Sequence, residues 1–166
     1  MNWLSKNLDN RRVFINTLIH LAEKDDKVCL IIADVGFNYI NDFKEKFPNR
    51  FWNIGVTEPS GMAEAAGMAL EGMKPYIYSM LPFVTWRVLE MVRNSVSLHN
   101  ANVKIIGVQG STAYNFLGFS HNTIFENEDT YHMSPYMECY TPESLDEVER
   151  ITMETYEILK PCYVRL

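Results

Sequence analysis

Six consecutive apolar residues, Val28-Cys29-Leu30-Ile31-Ile32-Ala33, stand between Lys27 and the break at Asp34-Val35-Gly36. A run of that length without alternation has no polar face to give to water. It reads as a strand covered on both sides, the mark of a parallel sheet. Parallel strands need crossover connections, and helical patterns lie between this run and further apolar ones. An amphipathic helix is expected over 9–24, with Val13, Leu18, Leu21 and Ala22 inward and Arg11, Arg12, Glu23 and Lys24 as cover. After the first strand come a short helix over 41–47, ended by Pro48, and a short strand over 50–54. A helix over 60–73, a strand over 76–80, a helix over 84–99 and a strand over 103–108 follow, then a polar loop over 111–121. A partly helical stretch over 122–132, a strand over 136–140, a helix over 142–159 capped by Thr141 or Ser144, and a strand over 162–166 complete the chain. The fold class expected is α/β: one doubly wound domain over 1–166, its mostly parallel sheet of about six strands carrying helices on both faces.

Composition narrows the function. The net charge of −6 comes with no basic block, which argues against nucleic acid as a partner. No apolar run is long enough to span a bilayer, and Met1-Asn2-Trp3-Leu4-Ser5-Lys6 lacks the apolar core of a signal peptide. A cytoplasmic protein is expected. The three cysteines, Cys29, Cys139 and Cys162, sit in apolar segments without CxxC spacing, so buried reduced thiols are expected and a metal site is not.

The stretch Asn53-Ile54-Gly55-Val56-Thr57-Glu58-Pro59 carries the chemistry. Glu58 falls at a strand-to-helix junction, in the first turn of a helix with little polar surface. A first-turn carboxylate complements the positive end of a helix, which is its ordinary structural use. Open α/β sheets also place ligand sites at such strand ends. Gly61, Ala65 and Ala69 repeat every four residues along the helix, a stripe without bulk that suits close packing on its own sheet or a subunit interface. Phe83, Trp86 and Arg87 follow the third strand and His121 lies beyond the fourth, so a parallel sheet brings them to the same edge as Glu58. An acid, an aromatic platform and an imidazole suit a flat nitrogen heterocycle that needs a proton moved. His20 and His132 are given no role, His99 is expected as a helix-capping or surface residue, and Glu126, Glu128 and Asp129 are expected as a solvated face.

The Asn53-Ile54-Gly55-Val56-Thr57-Glu58 segment resembles the N-x-G-x-x-E stretch of the transketolase pyrimidine-binding domain. The resemblance continues through Ala65–Pro75, through Pro82–Glu90 with Arg93, through Gly118-Phe119-Ser120-His121, and at Pro161–Leu166. It implies that the domain holds the aminopyrimidine ring of thiamine diphosphate, with Glu58 on the ring nitrogen opposite the amino group. Phe83 would stack on the ring, Trp86 would fill the neighbouring aromatic position, and Met80 stands where the family usually carries another aromatic. His121 would face the substrate, within Ser120-His121-Asn122 where the family has Thr-His-His. The segment 125–129 is longer and more acidic than usual. The family's C-terminal domain is expected to be absent from this chain. So is the Gly-Asp-Gly motif, followed about 25–30 residues later by Asn, that holds magnesium and diphosphate. The resemblance therefore implies one subunit of a split transketolase-like enzyme, a homodimer or heterotetramer in which a separate chain brings the magnesium and diphosphate site. It would transfer a two-carbon ketol unit between sugars or related carbonyl compounds. The alternatives are a subunit of a thiamine-dependent 2-oxo acid decarboxylase or dehydrogenase, and a non-catalytic interaction module that keeps the fold.

Overall fold

In the computed structural model, residues 9–109, 114–122 and 137–166 are described. Helix α1 (Asn10–Lys24) starts at Asp9, whose side chain accepts from the Arg12 backbone N–H. Strand β1 (Val28–Ile32) leads to α2 (Asn41–Lys46), β2 (Phe51–Asn53), α3 (Glu58–Leu70) and β3 (Lys74–Met80). A helical segment beginning with α4 (Leu81–Val84) and continuing through α5 (Leu89–Met91) returns to β4 (Lys104–Val108). Strand β5 (Glu138–Tyr140), α6 (Leu145–Glu157) and β6 (Cys162–Arg165) close the order. The α6 cap is Ser144, whose hydroxyl oxygen accepts from Glu147 N, while the Glu147 carboxylate accepts from Glu143 N at 2.8 Å.

The six strands run in the order β2-β1-β3-β4-β6-β5, and every neighbouring pair is parallel. Alternation along the strands sorts side chains to two cores. Leu30, Ile32, Tyr76, Tyr78, Ile106 and Val164 pack with Phe14 and Leu18 of α1, Phe43 of α2 and Val148 of α6. Ile31, Ile77, Ile105 and Tyr163 face the other way, against Met62, Ala65 and Ala66 of α3 and a row of valines. The expected doubly wound α/β architecture is therefore present, with all described strands parallel. No described helix is long and apolar enough to cross a membrane.

Three details differ from the sequence expectation. The single helix over 84–99 is instead a broken one that starts directly off β3. Pro82 occupies its first turn, and Thr85 (φ −109°, ψ −84°) interrupts it while its hydroxyl donates to Leu81 O at 2.8 Å. A 3-10 turn (Trp86–Val88), α5 and a π-type turn (Val92–Ser97) follow. The physical reason lies in Val84, Val88, Val92 and Val96, all buried. A spacing of four drifts by about 40° per repeat on a straight α-helix, and the wider π-type turn takes up part of that drift. Second, the loop over 111–121 contains two 3-10 turns, Asn115–Leu117 and Phe119–His121. Third, Cys139 is only half-buried, whereas Cys29 and Cys162 are buried; all three are free thiols. The stretch 123–132 with Glu126, Glu128, Asp129 and His132 lies outside the described residues.

Candidate functional site

The Asn53–Glu58 motif is a turn built by side chains. The Asn53 amide oxygen accepts from Asp34 N at 3.0 Å and from Gly55 N at 3.1 Å, and its nitrogen donates to Asp34 Oδ1 at 3.2 Å. It thereby ties the ends of β2 and β1 together and bends the chain. The bend passes through Gly55 at φ +66°, a conformation that costs an L side chain energy and glycine little. Thr57 Oγ1 then donates to Ile54 O at 2.7 Å, and α3 begins with Glu58 and Pro59. Proline fits this first turn because its missing N–H would have no helical partner there.

Glu58 is 1% exposed. Its Oε2 accepts from Arg87 Nη1 at 2.9 Å, while its Oε1 is buried without a hydrogen-bond partner. The Arg87 guanidinium lies over the Phe83 ring, 3.7 Å from the centroid. The Phe83 ring meets His121 edge-on, with centroids 5.0 Å apart. Ser120 Oγ lies 2.8 Å from His121 Nδ1, which engages that nitrogen and leaves Nε2 as the other polar atom of the ring. Glu58, Phe83 and His121, drawn from three strand ends, are thus joined in one cluster through Arg87.

Trp86 and Met80 behave differently. Trp86 is 43% exposed at the start of the 3-10 turn. Met80 is buried and lines a cavity of about 360 Å³ with Arg11, Asp34, Tyr78, Gln109 and Tyr114. Burial pushes the Tyr78 hydroxyl above its ordinary pKa, and that hydroxyl has no hydrogen-bond partner. Sequence reasoning placed Arg87 at this edge without a role, and it passed over Asp34 and Tyr78. Asp34 could have been found, since it directly follows the apolar run that must end at the sheet edge. Among the described residues, no three His, Cys, Asp or Glu side chains come together as a metal site.

Residues 6–166 match the family described as "Transketolase, pyrimidine binding domain". The chain belongs to that family. Among its transketolase-family relatives is one of the subunits of the apulose-4-phosphate transketolase of Phocaeicola vulgatus, 28% identical over 157 residues, covering 94% of this chain and 50% of the relative. A 1-deoxy-D-xylulose-5-phosphate synthase of Clostridium perfringens is 32% identical over 157 residues, with 92% of this chain and 24% of that protein covered. A solved structure titled a split gene transketolase, inactive beta4 tetramer, superposes with a TM-score of 0.84 at 28% identity, covering 96% of this chain and 51% of that one. This pyrimidine-binding domain therefore spans about half or less of the length of these relatives.

Proposed function

We propose that this chain is the pyrimidine-binding subunit of a split thiamine diphosphate-dependent enzyme of transketolase type, with a separate chain supplying the magnesium and diphosphate site. One observation carries the reading: the buried, partnerless Oε1 of Glu58, whose carboxylate is linked to Phe83 through Arg87. A buried carboxylate oxygen without a donor is costly to leave so, and a ring nitrogen brought in by a ligand would satisfy it. The residues present fit an aminopyrimidine, because they offer a carboxylate for a ring nitrogen and an aromatic face for the ring.

When bound, the cofactor would supply a nucleophilic carbon that carries a two-carbon ketol unit between sugars or related carbonyl compounds. The chain's own residues do the rest. Glu58 would hold and exchange a proton at Oε1. Phe83 would fix the plane of the ring, with Trp86 as an outer wall. His121, its Nδ1 engaged by Ser120, would present Nε2 to a substrate oxygen. Met80 lines the neighbouring cavity, and no step in this reading needs it. The division between chains is supported by the relative that is itself one subunit of a transketolase, and by the exposed aromatic residues Trp86, Phe116 and Phe119, which suit burial against a partner.

The test is to purify the tagged chain from its own cells and to identify what accompanies it. The expected result is a stoichiometric second protein with a Gly-Asp-Gly segment, retaining thiamine diphosphate and magnesium. In that complex Glu58→Gln should slow deuterium exchange at the thiazolium C2 of bound cofactor by about 10²–10⁴-fold, the range for losing a general acid–base. An unchanged exchange rate would remove Glu58 from the proton transfer.

A further inference from the structure

The Glu58 carboxylate has two oxygens, and the chain itself provides a donor for only one of them. Arg87 Nη1 donates to Oε2 at 2.9 Å, whereas Oε1 is left over. We propose that Arg87 is a positioning residue: it pins Oε2 and so fixes the direction in which Oε1 meets the cofactor ring, an assignment that rests on the function proposed above.

A glutamate at the first position of a helix keeps three rotatable side-chain bonds. Packing around its methylene stem does not by itself set the carboxylate plane. A donor fixed elsewhere does. The Arg87 head is fixed in this way, because its guanidinium lies 3.7 Å over the Phe83 ring. A stacked guanidinium keeps its N–H groups in its own plane, directed sideways past the ring edge, and this suits a hydrogen bond to a neighbouring carboxylate. One group therefore touches both parts of the proposed cofactor site. It sets the proton carrier and the aromatic platform in a constant relation to each other.

Position along the chain supports the same reading. Glu58 follows β2 and Arg87 follows β3, and β1 lies between these two strands in the sheet. The ion pair thus spans the strand ends that form the site. Its arginine side chain is 35% exposed and its glutamate side chain 1% exposed. The guanidinium consequently stands at the rim of the site, with the carboxylate beneath it. A pair serving the fold alone would need neither the aromatic platform under the arginine nor an open second oxygen on the acid.

The experiment uses the full chain in complex with its co-purified partner, with thiamine diphosphate and magnesium as the probe. Three quantities are measured: cofactor affinity, the deuterium exchange rate at the thiazolium C2, and the near-ultraviolet circular dichroism of the bound aminopyrimidine. Arg87→Ala should slow the exchange by about 10²-fold, as expected when a reacting group is misplaced by an ångström or so, and change the dichroism, with affinity altered only a few-fold. Arg87→Lys restores a donor and a charge without the planar stack, so it should recover part of the rate. It also keeps the test open if the alanine variant folds poorly. In the Glu58→Gln background, Arg87→Ala should have no further effect on exchange, because Arg87 acts through Glu58. A full loss repeated in that background would overturn the assignment, as would wild-type exchange and dichroism in Arg87→Ala. If the wild-type complex binds no thiamine diphosphate, the function proposed above falls together with this assignment. If the wild type binds and exchanges while the variant matches it, the role of Arg87 alone falls.

Discussion

At Glu58 a single side chain carries two different relationships, an ion pair at one oxygen and an open hydrogen-bonding position at the other. The sequence located this residue well, since an apolar strand broken by glycine and followed by a helix of small residues leaves few places for a carboxylate. It did not disclose the pairing with Arg87, which lies 29 residues away and meets Glu58 only because β2 and β3 end on the same edge. The cysteines illustrate the same limit. Apolar surroundings foretold buried thiols, which holds for Cys29 and Cys162 but not for the half-buried Cys139, and burial pushes Cys29 from 9.0 to about 12, with nearby Arg50 acting in the opposite direction. The sign of the consequence follows from the raised value. Below the ordinary thiol pKa the folded and unfolded chains are both protonated at Cys29. Above it the unfolded chain ionises first, and stability falls as pH rises from 9.0 towards about 12. In chemical denaturation across that window, Cys29→Ala should lose less stability than the wild type, the difference growing by about 1.4 kcal/mol per pH unit. Parallel slopes for the two proteins would contradict it.

Helix α3 holds two glycines with opposite meanings. Gly61 faces the sheet, where an added Cβ would collide with Ile54 Cδ1 and stand 3.6 Å from Ile77 Cδ1. Gly67 is exposed, with nothing within 4 Å of an added Cβ. Gly61→Ala should therefore destabilise the fold by about 1–3 kcal/mol through overpacking. Gly67→Ala should stabilise it by roughly 0.5–1 kcal/mol by removing helix-interior glycine. Thermal melting of the two variants reads both signs, and a shared sign would refute this account of the helix. The small-residue stripe was visible in the sequence with two possible meanings. The structure gives Gly61 and Ala65 to the protein's own sheet. The segment after β3 was less legible. Its valines every four residues resemble an ordinary helical face, and only the surface they pack against decides that the helix must break and widen.

For the molecule as a whole, the parallel sheet was the most legible feature. Its central strands are almost wholly buried and read as largely apolar runs, and the helical periods between the runs dictate crossovers. The strand order β2-β1-β3-β4-β6-β5 then places Asp34, Glu58, Phe83 and His121 on one edge. Family membership and the likeness to a split gene transketolase agree with that fold. The function proposed for this chain requires that this edge form half of a cofactor site which a second chain completes. Calorimetric titration of thiamine diphosphate and magnesium tests it most directly, into the purified chain alone and into its complex with the co-purified partner. The expected result is weak or no binding to the chain alone and tight, stoichiometric binding to the complex. Tight stoichiometric binding by the isolated chain would contradict it.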